Sequence, residues 1–225
     1  MINFFKNIFD TQPQTVTEIK NNTSIPVVWI HGANQSSVCW NYIREKCEFE
    51  NEILINYSSL EPFYANLENM KSKIGTKKPV FVVGHSLGGI YALHLLNHCN
   101  VIGAVSISTP FRGSSAADWA KYIVPQYQLF KDVGRRSKPI IEGHKTNIEV
   151  PWTQIVSTTG SVPYLNGAND GVCTVASMEH RRGDMNCVSV ASTHYEVMVS
   201  DEVVKIIMNN YNAVNEAEQH KQLTQ

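Results

Sequence analysis

Ser86 stands in Gly84-His85-Ser86-Leu87-Gly88-Gly89, between an apolar run at residues 79–83 and a long apolar pattern carried by Leu87, Ile90, Tyr91, His94 and Leu95. The run before it is β-branched and the pattern after it has helical spacing. The expected order is strand, sharp turn, helix, with Ser86 at the apex. A serine hydroxyl becomes a competent nucleophile only when a base takes its proton, and such a base needs a carboxylate to orient it. On a tight strand-to-helix turn the serine oxygen projects above the sheet, and Gly84 and Gly88 are required because side chains there would collide with the turn. The Leu87 N–H then lies at a helix N-terminus, where it can donate to a developing oxyanion. A bare G-x-S-x-G pattern is equally compatible with an inert glycine-rich connection. The strand before and the helix after are the context that favours attack on an acyl carbonyl.

The elements that must position this serine follow from periodicity. Strands are expected at residues 25–30, 53–57, 79–83, 101–107, 152–156 and 186–190. Helical patterns follow near Ser36 or Ser37, after Pro62, after Ser86, after Ser114 or Ser115, and after Ser200. Strands alternating with helices predict an α/β fold, a mostly parallel sheet of about six strands with helices on both faces. Ligands bind such sheets at the carboxyl ends of the strands. His31, Ser86, Thr109, Asp170 and His194 each follow a predicted strand, so five polar candidates converge on one rim.

In its motifs the chain resembles the α/β-hydrolase superfamily, and within it the small lipases and esterases with a minimal cap. The resemblance is carried by His31-Gly32-Ala33-Asn34, the serine motif, Thr109-Pro110-Phe111-Arg112-Gly113-Ser114, Asn169-Asp170-Gly171 and Thr193-His194. It implies the chain order serine, acid, histidine. The candidates in that order are Ser86, Asp170 and His194. His194 precedes the final helix, and the alternative is an ordinary loop histidine. Asp170 could instead be turn chemistry in Asn-Asp-Gly. Its rival Asp184 leads into the last strand from the opposite end. His31 is expected to shape a loop, His85 to sit beside the serine, and His94 to be a core histidine. The resemblance also implies the Ala33 N–H as the second oxyanion donor beside Leu87. This chain has Asn34-Gln35 where the lipases carry further glycines, which leaves the role of both side chains open.

The activity implied is cleavage of carboxylic esters with short or medium acyl chains. An acyltransferase or thioesterase would use the same three residues, and a non-catalytic binding module could retain the fold. Trp119, Tyr122, Ile123, Tyr127 and Phe130 fall where a cap would sit. They either line an acyl pocket or form the core face of a helix. No cofactor is expected, and no metal, because no cluster has zinc-ligand spacing. No phosphate loop of the G-x-x-x-x-G-K type is present.

The bulk numbers set outer bounds. The 225 residues suffice for a single domain with a real core. The division expected is an N-terminal extension at 1–24, one domain at 25–212 with a short cap-like insertion at 111–150, and a polar tail at 213–225 that is frayed from Asn215 on. The net charge of −1 argues against a nucleic-acid partner. The partner expected is a small-molecule or lipid ester. Five scattered cysteines without CxxC spacing suit reduced thiols and a cytoplasmic setting. The opening Met-Ile-Asn-Phe-Phe-Lys-Asn-Ile-Phe-Asp lacks the continuous apolar core of a signal peptide. It reads as a short amphipathic helix whose Ile2, Phe5 and Phe9 dock on the domain, with weak contact to a lipid surface as the alternative.

Overall fold

A computed structural model describes residues 24–114, 117–118, 122, 128–162 and 165–224. Six strands form one sheet: β1 (Val27–Ile30), β2 (Glu52–Ile55), β3 (Val80–His85), β4 (Val101–Ile107), β5 (Trp152–Ser157) and β6 (Asn186–Val190). Every pairing is parallel and the order is β2-β1-β3-β4-β5-β6. All six expected strands are present, each within two residues of its predicted bounds.

The central strands β1, β3 and β4 are largely apolar and buried on both faces, as a sheet covered on both sides requires, while Asn186 and Ser189 of the edge strand β6 are exposed. Alternate residues separate into two cores. Val28, Ile30, Val80 and Val82 face Phe63, Leu67 and Met70 of α2 (Phe63–Ile74) and Ile90 of α3 (Leu87–Leu95). Val27, Trp29, Phe81 and Val83 face Ile43 of α1 (Asn41–Cys47) and the final helix. All nine residues of α3 are buried, so the helix behind Ser86 is fixed from every side. Pro62 stands at the start of α2 and Gly75, with φ 80°, ends it.

After β4 come α4 (Gln128–Val133) and α5 (Lys138–Lys145), and after β5 a single turn, α6 (Val175–Met178). The polar reading of 132–139 gives no hint of α5. That helix buries only Pro139, Ile140 and Gly143, too few apolar positions to show a period. It is held instead by close approach: a Cβ on Gly143 would stand 3.2 Å from Leu93. His94 is the core histidine expected of it, its Nε2 lying 2.8 Å from the Pro139 carbonyl.

The final helix, α7, runs Asp201–Leu223. The polar end of the chain is therefore helical rather than frayed as far as Leu223. Its residues are strong helix formers, and Lys221 pairs with Glu218 one turn back. Near its middle, the Tyr211 hydroxyl donates to the Ile25 carbonyl at 3.0 Å and Asn215 Oδ1 accepts the Ile25 N–H at 3.3 Å. None of the five cysteines forms a disulfide. Among the described residues, no helix is long and apolar enough to cross a membrane.

Candidate active site

Ser86 occupies φ 52°, ψ −118°, a backbone region that non-glycine residues rarely adopt. Its N–H donates to the Ile107 carbonyl at 2.8 Å, tying the turn to the end of β4. The glycines around it are there for space. A Cβ on Gly84 would stand 2.6 Å from the Gly88 backbone, and one on Gly88 would stand 2.1 Å from the Ile30 carbonyl. A Cβ on Gly89 would meet Thr109 Oγ1 at 2.0 Å. Helix α3 is thus pressed against the ends of β1 and β4, which a larger residue at any of these positions would prevent.

Asp170 and His194 arrive on the loops after β5 and β6 and are both buried. The His194 Nδ1–H donates to Asp170 Oδ2 at 2.6 Å, and the His194 N–H donates to the Asp170 carbonyl at 3.0 Å. Asp170 Oδ1 accepts the Val172 and Cys173 N–H groups at 2.9 and 2.7 Å. The Ser157 hydroxyl also donates to Oδ2 at 2.6 Å. Ser157 has one proton to give, so its 2.6 Å contact with Ser108 runs from the Ser108 hydroxyl to Ser157. Burial alone would raise the Asp170 carboxyl. The His194 hydrogen bond and charge, with Cys173 and Ser157, outweigh it and hold the group below its ordinary value. An ionised Asp170 fixes the proton on His194 Nδ1 and leaves Nε2 with a lone pair.

The loop after β1 is organised by side chains that sequence left open. Gln35 Oε1 accepts the Gly32 N–H at 2.9 Å, and the Asn34 N–H donates to Ser59 Oγ at 2.9 Å. Ala33 lies between these two spent donors. His31 is fully buried, accepts the Tyr57 N–H at Nε2, and stacks on the Tyr57 ring at 4.3 Å. Burial lowers its pKa, so it is a neutral structural residue of the loop. His85, adjacent to Ser86, lies with its ring 4.9 Å from that of His194.

A sequence model of the alpha/beta hydrolase family matches residues 27–154. The chain belongs to that family. No curated protein sequence matches it. Among solved structures it is similar to a lipase of Bacillus licheniformis in its mature form (18% identity, TM-score 0.62), covering 86% of this chain and 94% of that one. A monoacylglycerol lipase of Paleococcus ferrophilus is 13% identical with TM-score 0.59, over 85% and 94% of the two chains. An esterase of a Rhodococcus species is 15% identical with TM-score 0.56, over 86% and 92%. At these identities the likeness is one of fold.

In this alpha/beta hydrolase the other sequence candidates fall as follows. Asp184 pairs with Arg181 at 2.5 Å and lines a surface groove with Trp152 and Asn186, at the start of β5 and β6 rather than at the rim. Tyr122 is 75% exposed, and Phe130 is half-buried on α4. Trp119, Ile123 and Tyr127, like Ile2, Phe5 and Phe9, lie outside the described residues. Asp170, Cys173 and His194 are the one group of potential metal ligands among the described residues, within 4.8 Å of one another. Asp170 and His194 are committed to each other, and burial pushes the Cys173 thiol well up, which keeps it protonated. That donor set does not fit a resident metal. Ser157 and Ser108 were missed by sequence reasoning. The only available signal for Ser157 is its position at the carboxyl end of β5.

Proposed function

We propose that this protein is a serine hydrolase that cleaves carboxylic esters, with Ser86 as nucleophile, His194 as base and Asp170 as the orienting acid. The observation that carries the reading is the buried 2.6 Å bond from His194 to an Asp170 whose four acceptor sites are filled, on the rim where Ser86 holds its constrained turn. In this reading His194 Nε2 takes the Ser86 proton as Oγ attacks the acyl carbonyl. Asp170 stabilises the imidazolium that forms. The oxyanion is received by the N–H of Leu87, the first residue of α3, whose N–H lies outside the helix ladder. The Ala33 N–H completes the pair, one such donor being worth about 2.7–4 kcal/mol. His194 returns the proton to the leaving alcohol, and a water activated the same way clears the acyl-enzyme. A short or medium acyl chain, on a small molecule or a lipid, is the substrate proposed.

The test is a series of chromogenic esters of increasing chain length together with a fluorophosphonate probe. The wild-type protein is expected to hydrolyse the shorter esters and to take up one probe at Ser86. The Ser86→Ala variant, folded by circular dichroism, should do neither. A wild-type protein that takes the probe but passes the acyl group to an added alcohol or thiol faster than to water is a transferase. One that neither hydrolyses nor labels is a binding module.

A further inference from the structure

His85 is fully buried and both of its ring nitrogens are engaged. Nε2 lies 3.0 Å from the His194 carbonyl, and Nδ1 lies 2.9 Å from Gln35 Oε1. The same Gln35 oxygen accepts the Gly32 N–H. One imidazole therefore spans from the loop carrying His194, across the turn carrying Ser86, to the loop carrying Ala33. The packing leaves no slack, since a Cβ on Gly32 would stand 2.9 Å from His85 Nδ1 and 3.2 Å from Ser86 Cβ.

The two contacts are not equivalent. Both partners are acceptors, because an oxygen that receives the Gly32 N–H cannot be the amide nitrogen of Gln35. A ring satisfying both would have to be an imidazolium. Burial pushes the His85 pKa down to about 3, and the neighbouring His194 opposes a second charge there. The ring is neutral and carries one proton. Placed on Nδ1, it would leave the buried His194 carbonyl facing a lone pair. Placed on Nε2, it satisfies that carbonyl, while Gln35 Oε1 keeps the Gly32 N–H. The second arrangement strands fewer buried groups, and the partner it leaves facing a lone pair, Gln35, is only half-buried.

We infer that His85 is a positioning residue that donates from Nε2 to the His194 carbonyl and so fixes the loop bearing His194 against the turn bearing Ser86. This rests on the reading of Ser86 and His194 as nucleophile and base. It gives the histidine of this motif a task that a space-filling side chain could not perform. The task is separable by substitution, because an asparagine amide can stand in for Nδ1 and a glutamine amide for Nε2.

The experiment compares His85→Gln, His85→Asn and the wild type, each checked for folding, by ester kinetics and by NMR of the low-field proton in the Asp170–His194 bond. His85→Asn is expected to lose kcat by about tenfold or more with KM little changed, and its low-field signal to broaden. A tenfold loss corresponds to about 1.4 kcal/mol of transition-state stabilisation. The His85→Gln variant should recover most of the rate and retain the signal. Equal behaviour of the two variants, whether both normal or both impaired, overturns the inference. If the wild-type protein hydrolyses nothing and takes no fluorophosphonate, the hydrolase reading falls. The NMR comparison still decides on its own whether His85 holds the His194 loop: a signal that is equally sharp, or equally lost, in the two variants rejects it.

Discussion

Asp170, in the loop after β5, and Asp132, on α4 after β4, are 1% and 9% exposed, yet the chain treats their charges oppositely. Asp170 receives the His194 ring, the Ser157 hydroxyl and two backbone N–H groups, and its carboxyl is held below the ordinary value. Among the described residues, Asp132 accepts hydrogen bonds from the Gln128 amide at 3.0 Å and from the Phe63 N–H, and burial pushes its carboxyl up to about 6. Depth does not decide whether a buried carboxylate is charged. The number and kind of donors aimed at it do. Only one of the two regions is built to keep an ion, and it is the one that sits at the rim beside a histidine.

The largest effect expected is that of Asp170→Asn, which retains the shape but removes the charge that fixes the His194 tautomer. Its kcat/KM on a soluble ester should fall toward the about ten-thousand-fold loss known for a serine-protease template. A near-normal variant would erase the functional side of the comparison. Ser157→Ala removes one of the four donors. It should lower kcat/KM by about tenfold, the equivalent of about 1.4 kcal/mol, and bring the carboxyl of Asp170 closer to its ordinary value. A rate as low as that of Asp170→Asn would mean that Ser157 does more than position the acid.

Asp132→Asn should leave ester kinetics alone and act on stability. In the unfolded chain the carboxyl ionises near about 4, whereas the folded chain holds its proton up to about 6. The folded state binds the extra proton between these values, so stability falls as pH rises through that window and levels above it. Asparagine removes this fall. The melting temperature of Asp132→Asn relative to wild type should therefore climb between about pH 4 and 6, at about 2–4 °C per kcal/mol for a chain of this size. A pH-independent difference would mean that Asp132 is not held protonated. Asp170 has the opposite sign: its contribution is present above about pH 4 and is lost as pH falls through its lowered value. The smallest effect is that of Asp184→Asn, which should leave kcat/KM unchanged because Asp184 serves Arg181 at the far end of the sheet.

The same two regions show what could be read before folding. Strands β1, β3 and β4 were legible as apolar, largely β-branched runs, because a sheet covered on both faces leaves little polar alternation to blur them. Strands β5 and β6 were legible through their β-branched residues although Thr153, Gln154, Asn186 and Ser189 interrupt them. The turn at Ser86 was legible because its glycines answer to local collisions, between Gly84 and Gly88 and between Gly88 and β1. Asp170 and His194 could be placed by counting strands. Helix α5 was invisible, since its contact with α3 depends on a glycine and a proline rather than on a stripe of apolar residues. Ser157 could not be singled out, and the role of Gln35 could not be read, because their partners, Asp170 and His85, lie 13 and 50 residues away. Nothing in a serine or a glutamine marks which distant acceptor or donor it will meet.

The bond from Tyr211 to the Ile25 carbonyl spans 186 residues and makes the first strand and the last helix a single mechanical unit. Proteins open by cooperative pieces, and terminal elements are usually the least protected of these. Here α7 cannot peel from the sheet without uncovering Trp29 and Phe81 and releasing the strand that leads to Ala33. Amide exchange in β1 should therefore keep pace with that in α7 rather than with that in its sheet neighbour β2. The end of the chain thus acts as a clasp, and slackening it at Tyr211 would reach the rim through β1 without touching any residue there.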